Sequence, residues 1–339
     1  MMNHIAKQRA ALAVAFACAL LPTPAVAETV KIGVVGVTAF APVFVAEERG
    51  YFAAEGVPAE LVYFDAAAPV AVATTSGDVD FGVAAVTAAF YNLAGQGELK
   101  IIAAAAHEFP GFRLQAFLVS HQAFDGGLKT VRDFAGHSFG VTGPGGPPVY
   151  VVGGILAAKY GFDFGSIKML PLQTIPNIIT AIGGGRADFT ASSLIPGAMP
   201  LIARGDIKLI GWVGDEAPWQ FGIVITSTKT ADTRSDTVRR FLRAYRHGAR
   251  DYHDALATAD EKPKSGPEAD AMIAILAKYT KQSVADVTLG VPYVDRGARL
   301  DVTDVLRQVR FYQARGLVKP EVDGATLIDR RYATALPGQ

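Results

Sequence analysis

Gly77-Asp78-Val79-Asp80-Phe81 and Gly185-Arg186-Ala187-Asp188-Phe189 stand 108 residues apart, each at the same place in a matching run of segments. In the first run, VKIGVVGV (30–37) reads as a strand and APVFVAEERGYFAAEG (41–56) as a helix ending near Gly50. AELVYF (59–64) is a second strand, PVAVATTSG (69–77) a helix, VDFGVAA (79–85) a strand and KIIAAAA (100–106) another. In the second run, SFGVTG (138–143) is a strand, PPVYVVGGILAAKYG (147–161) a helix and IKMLPLQT (167–174) a strand. IPNIITAIGGG (175–185), ADFTAS (187–192) and IKLIGWVG (207–214) complete it as helix, strand and strand. Strands that alternate with helices need crossover connections, which predicts largely parallel sheets covered on both faces. The same offset carries the loop Gly36–Phe40 onto Pro144–Pro148. The chain is therefore expected to fold as two α/β lobes of one local plan.

The pattern changes after Phe221. FGIVITSTKTA reads as a strand returning to the first lobe, and helices follow at 236–258, 267–280 and 302–316. Val238, Phe241, Leu242, Tyr245, Ala249 and Tyr252 form an apolar stripe at helical spacing. Arg239, Arg240, Arg243, Arg246 and Arg250 largely flank it, as expected of a solvated helix face.

The first residues have the layout of an export signal. Lys7 and Arg9 precede an apolar run from Ala10 to Leu21, followed by Pro22, Pro24 and Ala25-Val26-Ala27. This predicts a signal peptide over 1–27, cleaved after Ala27 to leave 312 residues. Cys18 is the chain's one cysteine, and Phe16 stands where a lipidated cysteine wants a small residue before it. A mature chain without cysteine has no disulfide framework, thiolate nucleophile or cysteine-bound zinc. Without Lys7 and Arg9 it carries 30 basic and 32 acidic residues, a balance unsuited to nucleic acid. No later stretch reaches membrane-spanning length.

Three motifs invite chemistry. Gly143-Pro144-Gly145-Gly146-Pro147-Pro148 fails the dinucleotide fingerprint at its third glycine, and no G-K-[ST] follows. What it keeps is a strand, a glycine-rich turn and a proline at a helix start, a geometry in which ligands lie outside strand carboxyl ends. Gly136-His137-Ser138-Phe139-Gly140 matches the hydrolase elbow, which needs a strand before the serine and a helix after it. Here the strand starts at Ser138, the reverse order. His107, His121, His137, His247 and His253 form no metal-binding pair. His107 follows a strand, where it either meets a ligand or closes the strand end.

AFAPVFVAEERGYFAAEGVPAELVYF, ATTSGDVDFGVAA, VRDFAGHSFGV ahead of the glycine-rich turn, and the ending QARGLVKP form one ordered set over Val30 to Asp329. Together they resemble the periplasmic substrate-binding proteins of ATP-driven importers in the sulfonate, taurine and nitrate family. That family includes binders of thiamine-precursor pyrimidines and of riboflavin. The resemblance implies a two-lobed α/β fold of the type II-like periplasmic-binding-protein kind, each lobe a sheet flanked by helices. One lobe would comprise 28–119 plus 220–339 with the C-terminal helices, the other 120–219, with crossings near Ser120 and Trp219–Gly222. It implies a monomeric periplasmic protein that is not an enzyme, needs no cofactor or metal, and closes on a small molecule. The closed form would deliver its ligand to an ABC-type permease driven by a cytoplasmic ATPase.

Carrying the family layout onto this sequence places Thr38, Ala39, Phe40, Val86, Thr87 and His107 at the ligand from the first lobe. Thr142, Gly143, Gly145, Gly146, Ser192 and Ser193 come from the second, with Trp212 beside Phe40 over the apolar body. The cysteine-rich segment of related pyrimidine-synthesis enzymes is missing, and few Lys or Arg stand at the candidate loops. The expected ligand is a small organic molecule, aromatic or heteroaromatic in body, with one anionic or polar end. Two other functions are open to this sequence: a secreted serine hydrolase using Ser138, and a periplasmic ligand sensor.

Overall fold

In the computed structural model, residues 29–193 and 197–339 are described. The expected signal peptide and Cys18 lie outside them. The first sheet orders its strands Ala59–Phe64, Val30–Val35, Phe81–Ala85, Gly222–Ser227 and Leu99–Ala104. The second orders Lys168–Pro171, Ser138–Val141, Phe189–Ser193, Gln115–Ser120 and Ile207–Trp212. The two orders match at an offset of about 108 residues except in fourth place, which each sheet fills with the strand arriving from the other, so the repeat read from sequence is a repeat of topology.

Each sheet departs from the parallel expectation at one strand. Gly222–Ser227 runs antiparallel to both its neighbours, and so does Gln115–Ser120. Each is the strand with which the chain enters one sheet on leaving the other. A small third sheet of Trp219–Gln220, Ala106–Glu108 and Tyr293–Val294 spans the passage. Ser120 ends a strand of the second sheet, so the first passage lies earlier than expected, between Ala104 and Gln115.

Central strands covered on both faces must be apolar throughout. All five residues of Phe81–Ala85 are buried, as are all six of Gln115–Ser120. Aromatic rings tie the helices to the sheets: Phe81 stacks on Phe241 at 3.8 Å between centroids, and Phe189 on Phe134 at 4.0 Å. Each such buried side chain contributes about 1.5–3 kcal/mol of transfer free energy. The repeat extends to polar detail. Lys31 N–H donates to Asp80 Oδ2 at 2.8 Å, and Ser138 N–H to Asp188 Oδ2 at 2.7 Å. Both aspartates pin the start of a sheet's first strand, away from the loops at its carboxyl end.

The long helix Ser235–Leu256 buries the stripe from Val238 to Tyr252. It crosses Ala41–Glu48 so closely that a Cβ on Gly248 would lie 2.3 Å from the Pro42 carbonyl oxygen. Its basic face is paired outward, Arg243 with Glu55 and Arg240 with Asp236. The helix expected over 41–56 is two, Ala41–Glu48 and Tyr51–Ala54, parted at Gly50 with φ of 69°. That over 147–161 widens into a π turn at Val151–Leu156.

Candidate functional site

A cavity of about 560 Å³ lies between the two sheets. The topology dictates what lines it. Loops after the parallel strands bring Val37 and Phe40, Ala66, Thr87, Thr142, Gly143, Gly145 and Gly146, and Gln173. The antiparallel strands meet the same space with their beginnings, bringing Gln115 and, just ahead of Gly222–Ser227, Phe221. Phe40 and Phe221 stack at 6.3 Å as one aromatic wall, and Ile175 and Ile178 line another part of the space.

The polar groups are few and neutral. Thr87 caps the helix Ala88–Gly95, its Oγ1 accepting from Phe90 N–H at 3.1 Å. Asn92 is committed to structure, donating to the Leu317 carbonyl and accepting from Lys319 N–H. Gln115 is 4% exposed, and its Oε1 has no hydrogen-bond partner among the described residues. Gln173 sits in the left-handed region at φ of 71°, unusual for a residue with a side chain.

The glycine-rich turn joins the two halves. Ala88 N–H donates to the Gly145 carbonyl at 3.0 Å, and a Cβ on Gly145 would lie 2.6 Å from the Ala88 Cβ. Gly146 opens the helix at Pro147, and its carbonyl accepts from Tyr312 Oη at 3.1 Å. A Cβ there would meet Thr142 Oγ1 at 2.8 Å. The halves touch at this turn, as they do where Tyr150 meets Asp304 and Phe311, and only glycine permits the approach at position 145.

Of the residues singled out from sequence, Phe40, Thr87, Thr142, Gly143, Gly145, Gly146 and Ser192 line the cavity. Ser193 pairs with Gln115 at the adjoining strand end. Thr38, Ala39, Val86, His107 and Trp212 do not line it. Thr38 Oγ1 donates to the Gly290 carbonyl at 3.0 Å, Ala39 is fully buried, and Val86 N–H is held by the Phe221 carbonyl. His107 lies in the third sheet between Gln220 and Tyr293, where burial lowers its imidazole pKa and favours the neutral form. Trp212 carries the Arg113 guanidinium 5.4 Å above its ring and packs on the second sheet's helices.

Sequence reasoning missed Gln115, Phe221 and Gln173 as site residues. The first two had a legible signal: a strand entering from the other half runs antiparallel and meets the cleft with its first residues. Gln173 follows the strand Lys168–Pro171 as the other loop residues follow theirs.

Ser138 is elsewhere. Its hydroxyl donates to Asp188 Oδ2 at 2.9 Å and accepts from Asp188 N–H at 2.9 Å. His137 Nδ1 is 3.4 Å from the same carboxylate oxygen. A nucleophilic serine must donate to the imidazole, with the carboxylate behind it. Here the carboxylate takes the serine proton directly, and the group sits at the start of the strand whose other end reaches the cavity. Among the described residues, no cluster of three or more His, Cys, Asp or Glu is placed to hold a metal, and no helix is long and apolar enough to cross a membrane.

Comparison with solved structures agrees with this architecture. The alkanesulfonate-binding protein SsuA from Xanthomonas axonopodis pv. citri, bound to MOPS, superposes with a TM-score of 0.70 at 18% identity, covering 89% of this chain and 98% of that one. The periplasmic nitrate-binding protein NrtA from Synechocystis PCC 6803 gives 0.67 at 14% identity, over 89% and 86%. The desulfurization enzyme DSZB gives 0.57 at 14% identity, over 90% and 97%. The chain has the periplasmic-binding-protein fold, which binding proteins and an enzyme share. A comparison with curated protein sequences finds no match. Residues 37–259, which hold nearly all the strands and loops of the cleft, match the family model described as NMT1/THI5 like, and the chain belongs to that family.

Proposed function

We propose that this protein is an extracytoplasmic solute-binding protein that captures a small organic molecule by lobe closure and delivers it to an ABC-type permease. The observation that carries this reading is the cavity itself, lined from both halves and free of charged side chains among its described residues. Such a site has groups to orient a ligand and none to move a proton. A ligand touching both halves favours the closed arrangement by its differential affinity, and no bond is made or broken. The lobes are built on the two five-stranded sheets, 28–104 with 222–339, and 115–212, joined by the two passages between them and acting as a monomer in the periplasm. Phe40 covers the apolar body of the ligand, while Thr87, Thr142 and Ser192 meet its polar end with the turn Gly143–Gly146. The pairing of Ser138 with Asp188 speaks against hydrolysis.

A thermal-shift screen of residues 28–339 tests this. A ligand held at 100 times its dissociation constant adds about 2.7 kcal/mol to stability, a visible shift. A stabilising compound recovered unchanged after incubation supports the reading, and one converted to product refutes it.

A further inference from the structure

The cleft is bordered by the starts of four helices, at Ala67, Ala88, Pro147 and Ile175. Helix starts are ready-made anion sites because their first-turn N–H groups have no partner within the helix. This cleft has lost most of that capacity. Of the twelve first-turn positions, four are prolines without an N–H: Pro69, Pro147, Pro148 and Pro176. Four more already donate: Ala88 to the Gly145 carbonyl, Phe90 to Thr87 Oγ1, Val149 to the Gly146 carbonyl and Asn177 to Thr174 Oγ1. Among the described residues lining the cavity, none is charged. An anion placed here would give up its water without a counter-charge or a full donor set, which is costly.

Against this neutral background stands Gln115. A side chain 4% exposed with an unpartnered Oε1 is a buried acceptor whose desolvation is uncompensated. The residue lines the cavity, and although Oε1 itself has almost no exposed surface, rotation of the terminal amide about its last torsion presents it to a ligand there. A primary amide presents an acceptor and donors side by side. Its complement is a group with the same pair reversed, an amide N–H beside a carbonyl oxygen.

We infer that the cleft selects an uncharged, largely apolar organic molecule bearing a carboxamide or cyclic-amide edge, with Gln115 as the residue that reads that edge, and that it rejects anions. This rests on the binding reading above and adds the ligand's charge and its recognition group. It also sets the protein apart from the sulfonate- and nitrate-binding proteins whose fold it shares.

The test uses matched pairs on common aromatic bodies: carboxamides and cyclic amides in one set, the corresponding carboxylates and sulfonates in the other. Each is run by thermal shift and then by calorimetric titration, on the wild type and on Gln115→Met and Gln115→Lys. The amide set is expected to stabilise the wild type and the anion set to leave it unmoved. Gln115→Met, of similar volume, should lose about tenfold or more in affinity for the amides, the worth of one buried hydrogen bond with its partner stranded. Gln115→Lys should gain binding to the anions. If the anions stabilise the wild type and the amides do not, the charge inference falls while the binding reading stands. If Gln115→Met binds the amides within about twofold of wild type, the role given to Gln115 is wrong. Silence of both sets on the wild type and on Gln115→Lys overturns this inference and the binding reading together.

Discussion

The proposed closure of the cleft can be tested at a contact that one methyl group should abolish. Gly145 meets Ala88 so closely that an added Cβ would fall 2.6 Å from the Ala88 Cβ, where ordinary contact begins at 3.4 Å. Gly145→Ala therefore forces the halves about 0.8 Å apart at this point, because neither backbone has a rotamer with which to yield. The shift breaks the hydrogen bond from Ala88 N–H to the Gly145 carbonyl, worth about 0.5–1.5 kcal/mol. Overpacking adds about 1–3 kcal/mol. In the proposed mechanism both costs fall on the arrangement in which the halves touch here, since parting the lobes would relieve them. Ligand affinity should drop by more than about tenfold and up to about a thousandfold. The melting temperature of the unliganded protein should barely move. Gly197→Ala is the control: its added Cβ would meet nothing within 4 Å, and it lies outside the cavity lining. Calorimetric titration of both variants with a ligand from the screen decides the matter. Binding by Gly145→Ala within about twofold of wild type would refute closure at this contact.

Three further outcomes follow from the packing. Glu108 is 1% exposed, and burial pushes its carboxyl pKa well up, so its contribution to stability is full below the unfolded-state pKa and is lost as pH rises through the folded one. Glu108→Gln should thus stabilise the protein by about 1–3 kcal/mol at pH 7, with the gain closing toward pH 4; an equal gain at both pH values in thermal melts would contradict this. Ser138→Ala should cost about 0.5–2 kcal/mol by leaving Asp188 without its hydroxyl partner, with ligand affinity unchanged and no ester hydrolysis in either protein. Gly248→Ala should lower stability by about 1–3 kcal/mol, because its Cβ would strike Pro42 and Ala46; a rise in melting temperature, the usual result of replacing glycine within a helix, would show that the two helices can part.

Much of this fold was legible because period and punctuation agree along the chain. The strands AELVYF and Phe189–Ser193, the stripe on Ser235–Leu256 and the 108-residue offset all follow from alternation of apolar runs with glycine-closed helices. The strand Gln115–Ser120 was not among those expected, because the passage between the halves was read near Ser120 and not ahead of Gln115. That misplacement hid Gln115 from the candidate site, although a strand arriving from the other half must meet the cleft with its first residues. The loops carried a clearer signal, and Phe40, Thr87, Thr142, Gly143, Gly145 and Gly146 border the cavity as strand ends in such sheets should. His107 and Trp212 were read as strand-end residues, yet they lie within strands of the third sheet and of the second sheet's edge. Position after a strand is informative only once the strand's place in its sheet is known.

The repeat explains why the cleft exists, and its defects explain what the cleft is suited to hold. Two copies of one sheet order, each completed by a strand from the other, put four helix starts around one space. Left as copies, those starts would make a symmetric anion cradle. The chain has broken the symmetry residue by residue. Phe40 in the first half stands 108 positions before Pro148 in the second, so an aromatic wall faces a proline that removes a donor. At the heads of the two antiparallel strands, Phe221 and Gln115 divide the work in the same way, one apolar and one polar. Scaffold and selectivity are thus separable: residues shared by the halves, such as Asp80 and Asp188, hold the sheets, and residues that differ face the cleft. Exchanging Phe221 or Gln115 should change which molecule is bound while leaving the fold and its closure contact at Gly145 in place.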